Sequence, residues 1–515
     1  MRELELSGKL LEHACRALER EMREFTLGVS MRTLQEGGSA MDENPIKDLQ
    51  DNRPKTSVWS EPEPWQKFAG DLQMIQREVQ GWVGVDPVVL ARVKEEARLF
   101  STGTRLADQF REQLQEARVT PPTLEDLAQQ ANVLRNFTEM WTIYQVAWEQ
   151  RHKGESWHPE IEEGPTLRSL RAGDRVVRDL YKVVQQDLDT IMGGQLLIVV
   201  PFMSGLYAAG FDLPTPYIIS PRWGHRLVWT WLGYAHEVGH HVYRNVKGLS
   251  DELKVNVVME LWSQGEDYTV QRIWLHWVEE IFADLFGLLQ IGPAFAQTQQ
   301  LMLPYLPLPA APRKVSNRLL VVADETHPIP YLRVFLAIRA LEELGIPEAD
   351  TKPLRDKWEK FFHEDGGVDV KKSKISARVR GSHVEIPVKE MIDVAEIVLD
   401  VILNTDLDAL ARKPLDSSHM ELPEEPQPRK LADPDLFHEP LDERRKKVEA
   451  ARQAIGGVPS GGFDMRHLLA ATQKSLEELS AQTEGEPSGE DIDDLNTRVI
   501  NTIMEAYQES ALPAV

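Results

Sequence analysis

The spacing of apolar residues predicts a chain built mainly from helices. Apolar positions recur every three or four residues, as on one face of an α-helix, over 1–30, 68–84, 87–101, 123–151, 167–191, 227–245, 270–290, 331–344, 391–403, 444–455, 465–479 and 495–507. Two stretches rich in Pro and polar or charged residues, 36–64 and 413–446, are typical of linkers.

Two short β-branched runs and one weakly alternating stretch predict strands. Leu196–Val200 is one such run, and Tyr217–Ser220, which lies between prolines, is the other. Residues 372–388 alternate weakly between apolar and polar positions, which predicts a hairpin that turns at Gly381 and Ser382. The expected fold class is therefore α+β and predominantly α-helical, with a small sheet flanked by helical regions.

Composition narrows the classes of protein to which the chain can belong. Its formal net charge of −24 repels phosphate backbones, so we do not expect nucleic acid as a main partner. The single cysteine, Cys15, excludes a cysteine-rich metal cluster and an intramolecular disulfide, and it favours a reducing cytoplasm. The most apolar stretch, 196–211, is shorter than the ~20 residues of a spanning helix and is interrupted by Pro201 and two glycines, so no membrane span is expected.

One short motif carries recognisable chemistry. His236 and His240 are four positions apart within the predicted helix 227–245, and Glu237 directly follows the first histidine. Residues four apart lie on the same face of an α-helix, so the two imidazoles can bind one tetrahedral Zn²⁺ ion. Glu237 can then act as general base on a zinc-bound water. Apolar neighbours such as Trp231 indicate that the motif is buried, where an unpaired glutamate is costly and a metal removes that cost.

A catalytic zinc site needs a third protein ligand, and the predicted helix 270–290 offers one. Glu280 and Asp284 are four residues apart, which is the arrangement required if Glu280 binds the metal and Asp284 orients a ligand histidine. Glu279 is the nearest competitor of Glu280, but we interpret it as a solvated helix residue. His276 lies one turn before Glu280, and we expect a structural or rim role for it, with metal ligation as the alternative.

Three segments in this order resemble the gluzincin metallopeptidases. The matching segments are His236-Glu237-x-x-His240, Glu280-x-x-Ala283-Asp284 and Thr326-His327-Pro328 with Arg333. They are most similar to those of the HtpX-type and CAAX prenyl proteases, over about residues 195–345. The resemblance implies a zincin-like core with a small sheet, an active-site helix that carries the first motif and a second helix that supplies Glu280. Those relatives are usually embedded in membranes, whereas no span is predicted for this chain, so a membrane substrate is not implied.

The third segment suggests further residues of the site. Its position in the resemblance implies a catalytic role for His327, as a hydrogen-bond donor to the transition state. The alternative for His327 is packing at a helix entry. Tyr331 is another candidate for the donor, as are Tyr234 and Tyr243. We expect Arg333 either to pair with a carboxylate near the site or to be an ordinary helix arginine.

Together these features predict a soluble, cytoplasmic zinc metallopeptidase that cuts a protein or peptide, with narrow specificity or latency. The alternatives are a sensor or interaction protein on a zincin scaffold, and a zinc amidohydrolase with a non-peptide substrate. Helical flanks offer surfaces for a regulatory partner. The predicted regions are an N-terminal helix and linker (1–64), a helical region (65–165), a zincin-like domain (166–345), an α+β extension (346–412), and a linker with a helical acidic C-terminal region (413–515).

Overall fold

A computed structural model describes part of the chain between residues 169 and 511. The described residues are 169–180 without 171 and 178, 200–204, 208–210, 217–221, 228–303, 327–366, 369, 372–379, 382–410, 428–433, 436, 441–455, 464–482 and 489–511. The predicted regions 1–64 and 65–165, with Cys15, lie outside them. The chain divides into two units, and the second comprises Arg168–Phe211 and Tyr217–Ala506. The predicted boundaries at 345 and 412 lie inside this second unit.

The described strands form two small sheets. In the first sheet the strands are β1 (Val200–Ser204), β2 (Ala208–Gly210) and β3 (Tyr217–Pro221), in the order β1-β3-β2. β1 pairs with β3 in parallel and β2 pairs with β3 antiparallel. β3 confirms the strand predicted at 217–220, whereas 196–199 of the other predicted strand lie outside the described residues.

The second sheet is the hairpin predicted over 372–388. Its strands are β4 (Lys374–Val379) and β5 (Ser382–Pro387), which pair antiparallel. Ile375 and Ile386 lie opposite each other in the register, and both are buried. This cross-strand apolar pair gives the hairpin one face that packs on the core.

Most of the described residues are helical, which confirms an α+β fold that is predominantly α-helical. A 3₁₀ helix (Val228–Leu232) leads into α1, and a second 3₁₀ helix covers Asp408–Leu410. The α-helices are α1 (Gly233–Asn245), α2 (Leu249–Ser263), α3 (Tyr268–Ile291), α4 (Pro293–Met302), α5 (Pro330–Glu343), α6 (Glu348–Gly366), α7 (Val388–Asn404), α8 (Leu441–Ala454), α9 (Met465–Gln482) and α10 (Gly489–Ala511). Residues 169–180 are helical where described, as predicted. Helices α2, α4 and α6 were not expected from the sequence.

Helix α3 is the centre of the described core. Residues 280–291 of α3 are all buried. Helices from before and after it in the chain pack against it, namely α1, α2, α4, α5, α7 and α9. At its N-terminus the Asp267 carboxylate accepts a hydrogen bond from the backbone N–H of Thr269 at 2.7 Å, which caps the first turn. A helix buried on so many sides is a rigid support for the side chains that it carries.

Helix α1 is held against α3 and against the first sheet. The Tyr234 hydroxyl donates a hydrogen bond to Ser220 Oγ of β3 at 3.0 Å, and both residues are buried. Gly248, between α1 and α2, has a φ of 85°, a conformation that favours glycine and lets the chain turn directly into the next helix. Among the described helices, none combines the length and the apolar character that crossing a membrane requires.

Candidate metal centre

Two histidines on α1 and one glutamate on α3 converge on a single point. His236 Nε2 and His240 Nε2 are 3.0 Å apart. Glu280 Oε2 lies 3.5 Å from His236 Nε2, and Glu280 Oε1 lies 3.3 Å from His240 Nε2. His240 and Glu280 are buried, and His236 is largely so. The spacing of four residues therefore places both histidines on one face of α1, as predicted. Together with Glu280 they form a group that can hold a metal ion.

The other nitrogen of each imidazole faces a carboxylate. His236 Nδ1 lies 2.8 Å from Asp284 Oδ1, and His240 Nδ1 lies 3.0 Å from Glu279 Oε1. A carboxylate accepts hydrogen bonds, so each Nδ1 carries the proton and each Nε2 presents a lone pair. The partners of the two Nδ1 atoms thus fix the tautomer that metal ligation requires.

This arrangement fits a metal ion. Two Nε2 lone pairs that face each other at 3.0 Å repel unless a cation or protons lie between them. Glu280 Oε2 is buried, and its neighbours His236 Nε2 and Arg333 Nη1 lie 3.5 and 3.6 Å away, too far for a good hydrogen bond, so this oxygen can also bind a cation. Tetrahedral ligands about 2.0–2.1 Å from Zn²⁺ are about 3.3 Å from one another, close to the three separations observed here.

The electrostatics of the group show the same demand for positive charge. Burial would lower the pKa of His240, but the carboxylates of Glu280 and Glu279 raise it to about 10. Burial would also lower the pKa of His236, but Asp284 raises it above its ordinary value. Burial would raise the pKa of Glu280, but the charge on His240 and hydrogen bonds from both histidines hold it well below its usual range. Protons and a metal ion therefore compete for the same Nε2 atoms.

The carboxylate of Glu237 lies beside this group. It is buried, with 7% of its surface exposed. Burial raises its pKa, and the charges of His236 and His240 oppose that rise. Within the part of the chain that the structure describes, no side chain or backbone group donates a hydrogen bond to this carboxylate. A buried carboxylate without such a partner is available to accept a proton from a bound molecule.

Two candidates of the third segment, Arg333 of α5 and His327 just before it, lie at this group. Arg333 donates two hydrogen bonds to Asp284, from Nη2 to Oδ1 at 2.7 Å and from Nε to Oδ2 at 2.8 Å. Arg333 thus pairs with a carboxylate rather than being an ordinary helix arginine. His327 Nε2 lies 3.3 Å from Glu280 Oε1, and its side chain is 48% exposed, so it borders the open side of the group. Thr326 lies outside the described residues.

The remaining candidates occupy other positions in the described fold. His276 is exposed on α3. Tyr331 is buried in the core, and burial together with the charge of Glu359 raises its pKa to about 12. The hydroxyl of Tyr234 is directed to β3. Tyr243 is buried against Phe282 of α3, with ring centroids 5.3 Å apart.

Glu279 differs from its interpretation as a solvated helix residue. Its side chain is 22% exposed, and Oε1 accepts hydrogen bonds from His240 Nδ1 at 3.0 Å and from Arg244 Nε at 2.7 Å. Arg244 was not singled out in the sequence. A signal for it was present, because Arg244 follows His240 by four residues and continues the row of side chains on that face of α1.

Comparison of the whole chain with protein-family models, with curated proteins and with solved structures found no match in any of the three. The resemblance to gluzincins therefore stands on the motifs and on the geometry of this group. What the described structure defines is a protein with a buried His236-His240-Glu280 group that can hold a metal ion.

Proposed function

We propose that the chain is a zinc-dependent metallopeptidase, with Zn²⁺ held by His236, His240 and Glu280. The observation that carries the proposal is the convergence of two imidazole Nε2 atoms and one carboxylate, each histidine being fixed from behind by a second carboxylate. Two histidines and one glutamate form a ligand set typical of catalytic rather than purely structural zinc, because a fourth position stays open to substrate or water. The exposed side chain of His327 at Glu280 is consistent with access from that side.

The residues of the site have distinct roles in this proposal. A zinc ion in this group supplies Lewis acidity towards an amide carbonyl. Glu237 takes a proton from the attacking water and returns it to the leaving amine nitrogen, so that one C–N bond breaks while one C–O bond forms. His327, at the exposed edge of the group, donates a hydrogen bond to the oxygen of the carbonyl as negative charge develops there. Asp284 and Arg333 hold His236 in place.

The test compares wild-type protein with Glu237→Gln. Both proteins should contain one zinc per chain by elemental analysis, because Glu237 is not a ligand. When a library of proteome-derived peptides is incubated with each protein, mass spectrometry should find new N-termini with the wild type and none with Glu237→Gln. Glu385→Gln, which changes an exposed carboxylate of β5, is the matched control and should cleave as the wild type does.

Three results would contradict the proposal. Equal cleavage by wild-type protein and Glu237→Gln would remove Glu237 as the general base. A wild-type protein that binds zinc but yields no new N-termini would leave a metal site without peptidase activity. His236→Ala should lose the metal, and one zinc retained per chain would show that His236 is not a ligand.

A further inference from the structure

Each histidine of the group donates a hydrogen bond from Nδ1 to a carboxylate that is itself bound by an arginine. We call each pair of carboxylate and arginine a brace. For His236 the brace is Asp284 with Arg333, described above. For His240 the brace is Glu279, whose Oε1 accepts from both His240 Nδ1 and Arg244 Nε. The two braces come from different places, because Arg333 belongs to α5 whereas Arg244 lies on α1 itself, one turn beyond His240.

We propose that Glu279 is a positioning residue for His240, and that Arg244 acts through Glu279 by holding its carboxylate in place. The proposal rests on the metal site of the proposed function. By accepting a hydrogen bond from Nδ1–H, Glu279 keeps the Nε2 lone pair of His240 directed at the point where His236 and Glu280 converge. It also limits rotation of the imidazole ring, since α3 is buried on most sides and carries Glu279 on a rigid backbone.

The two braces differ in their exposure to solvent. The side chain of Arg333 is 9% exposed and that of Arg244 is 45% exposed. Solvent and salt screen the pair between Arg244 and Glu279, so Arg244 contributes less than Glu279, which contacts the histidine directly. The structure therefore predicts that loss of Glu279 weakens zinc binding more than loss of Arg244, and this order can be measured.

The experiment measures the dissociation constant of zinc by competition with a chromophoric chelator, at one pH and one ionic strength. Glu279→Ala should weaken zinc binding by about 10- to 100-fold, as loss of an outer carboxylate does at other zinc sites. Glu279→Gln should weaken it less, because an amide oxygen still accepts a hydrogen bond from Nδ1–H. Arg244→Ala should weaken it by about 2- to 5-fold. The double variant should bind zinc no more weakly than Glu279→Ala alone.

A matched control and a spectroscopic readout separate positioning from general damage. Glu478 of α9 also pairs with an arginine of a neighbouring helix, Arg452 of α8, at 2.5 Å, and Glu478→Ala should leave the dissociation constant unchanged. With Co²⁺ in place of zinc, the visible absorption bands should shift in both Glu279 variants and stay constant in Glu478→Ala. Circular dichroism of the metal-free proteins monitors folding, and Glu279→Gln carries the test if the alanine variant does not fold.

The outcomes distinguish this inference from the proposed function. A dissociation constant for Glu279→Ala within twofold of the wild type would overturn the role of Glu279. Additive losses in the double variant would overturn the action of Arg244 through Glu279. Wild-type protein that binds no zinc would overturn the metal site and this inference together. Zinc binding that depends on Glu279, in a protein that cleaves no peptide, would support this inference and overturn only the peptidase.

Discussion

A single methyl group at Gly239 should separate the two helices that carry the candidate metal ligands. Gly239 lies on α1 next to His240, facing Ala283 of α3. A Cβ atom at this position would lie 2.7 Å from Ala283 Cα and 3.0 Å from the Ala283 carbonyl oxygen. Both are backbone atoms of a buried helix, so no change of rotamer can relieve the contact, and α1 must move away from α3.

The structure gives the size of this movement. Ordinary van der Waals contact of a Cβ atom begins at 3.4 Å, so a contact at 2.7 Å is short by about 0.7 Å. A metal site tolerates displacements of its ligand atoms of about 0.5 Å. Because His240 would move away from Glu280 by more than this, zinc affinity should fall at least tenfold. Overpacking costs about 1–3 kcal/mol, and the higher helix propensity of alanine offsets about 1 kcal/mol. The free energy of unfolding should therefore fall by no more than about 2 kcal/mol.

Gly287→Ala, on α3, is the matched control. A Cβ atom there would lie 2.5 Å from one ring atom of Phe295 and 2.6 Å from another, away from the metal ligands. Urea unfolding of the metal-free proteins measures stability, and zinc competition measures affinity. We expect both variants to lose stability and only Gly239→Ala to lose zinc. Wild-type zinc affinity in folded Gly239→Ala would refute the idea that the close approach at Gly239 sets the spacing of the site.

Two further predictions concern stability away from the metal centre. Burial would raise the pKa of Asp464, but hydrogen bonds from Arg466 lower it to about 2. Since this value lies below the ordinary 3.8, ionised Asp464 stabilises the fold above about pH 4, and the contribution disappears as the pH falls through 2. Asp464→Asn should cost about 2 kcal/mol at pH 7 and progressively less towards pH 2, and a cost independent of pH in urea unfolding would contradict this. The Glu252 carboxylate accepts hydrogen bonds from the backbone N–H groups of Asp408 and Ala409 at 2.8 and 2.9 Å. Glu252→Ala should lower the free energy of unfolding by about 1–2 kcal/mol, with zinc affinity unchanged, and an unchanged urea midpoint would be evidence against it.

The arrangement of apolar residues explains why α7 could be predicted from the sequence and α2 could not. α7 was predicted because its apolar residues share one face, with Val394 and Val398 buried. In α2, Leu253, Val257 and Leu261 are buried, but Val255, Met259 and Trp262 are also apolar and are exposed. Apolar residues on opposite faces remove the period of 3.6 residues on which the prediction depends.

The convergence of His236, His240 and Glu280 could be predicted from the sequence, but part of their surroundings could not. The spacing of His236 and His240 is local to one helix, and helix geometry translates it directly into a shared face. The role of Glu279 depends instead on how α1 and α3 are rotated about their axes relative to each other. The sequence offered Glu279 and Glu280 as adjacent alternatives for one role, whereas in the structure they contact different sides of His240.

A charge count shows that this group can accommodate a divalent cation. Among the described residues at the histidines, the carboxylates are Glu237, Glu279, Glu280 and Asp284, and the guanidinium groups are Arg244 and Arg333. With these groups ionised and both imidazoles neutral, the charge is −4 from the carboxylates and +2 from the arginines, which leaves −2. Buried negative charge of this size is costly unless it is neutralised. Without a metal the histidines bind protons, and their raised pKa values reflect this. A divalent cation such as the proposed Zn²⁺ would neutralise the same charge while both Nδ1–H groups still donate hydrogen bonds to Asp284 and Glu279.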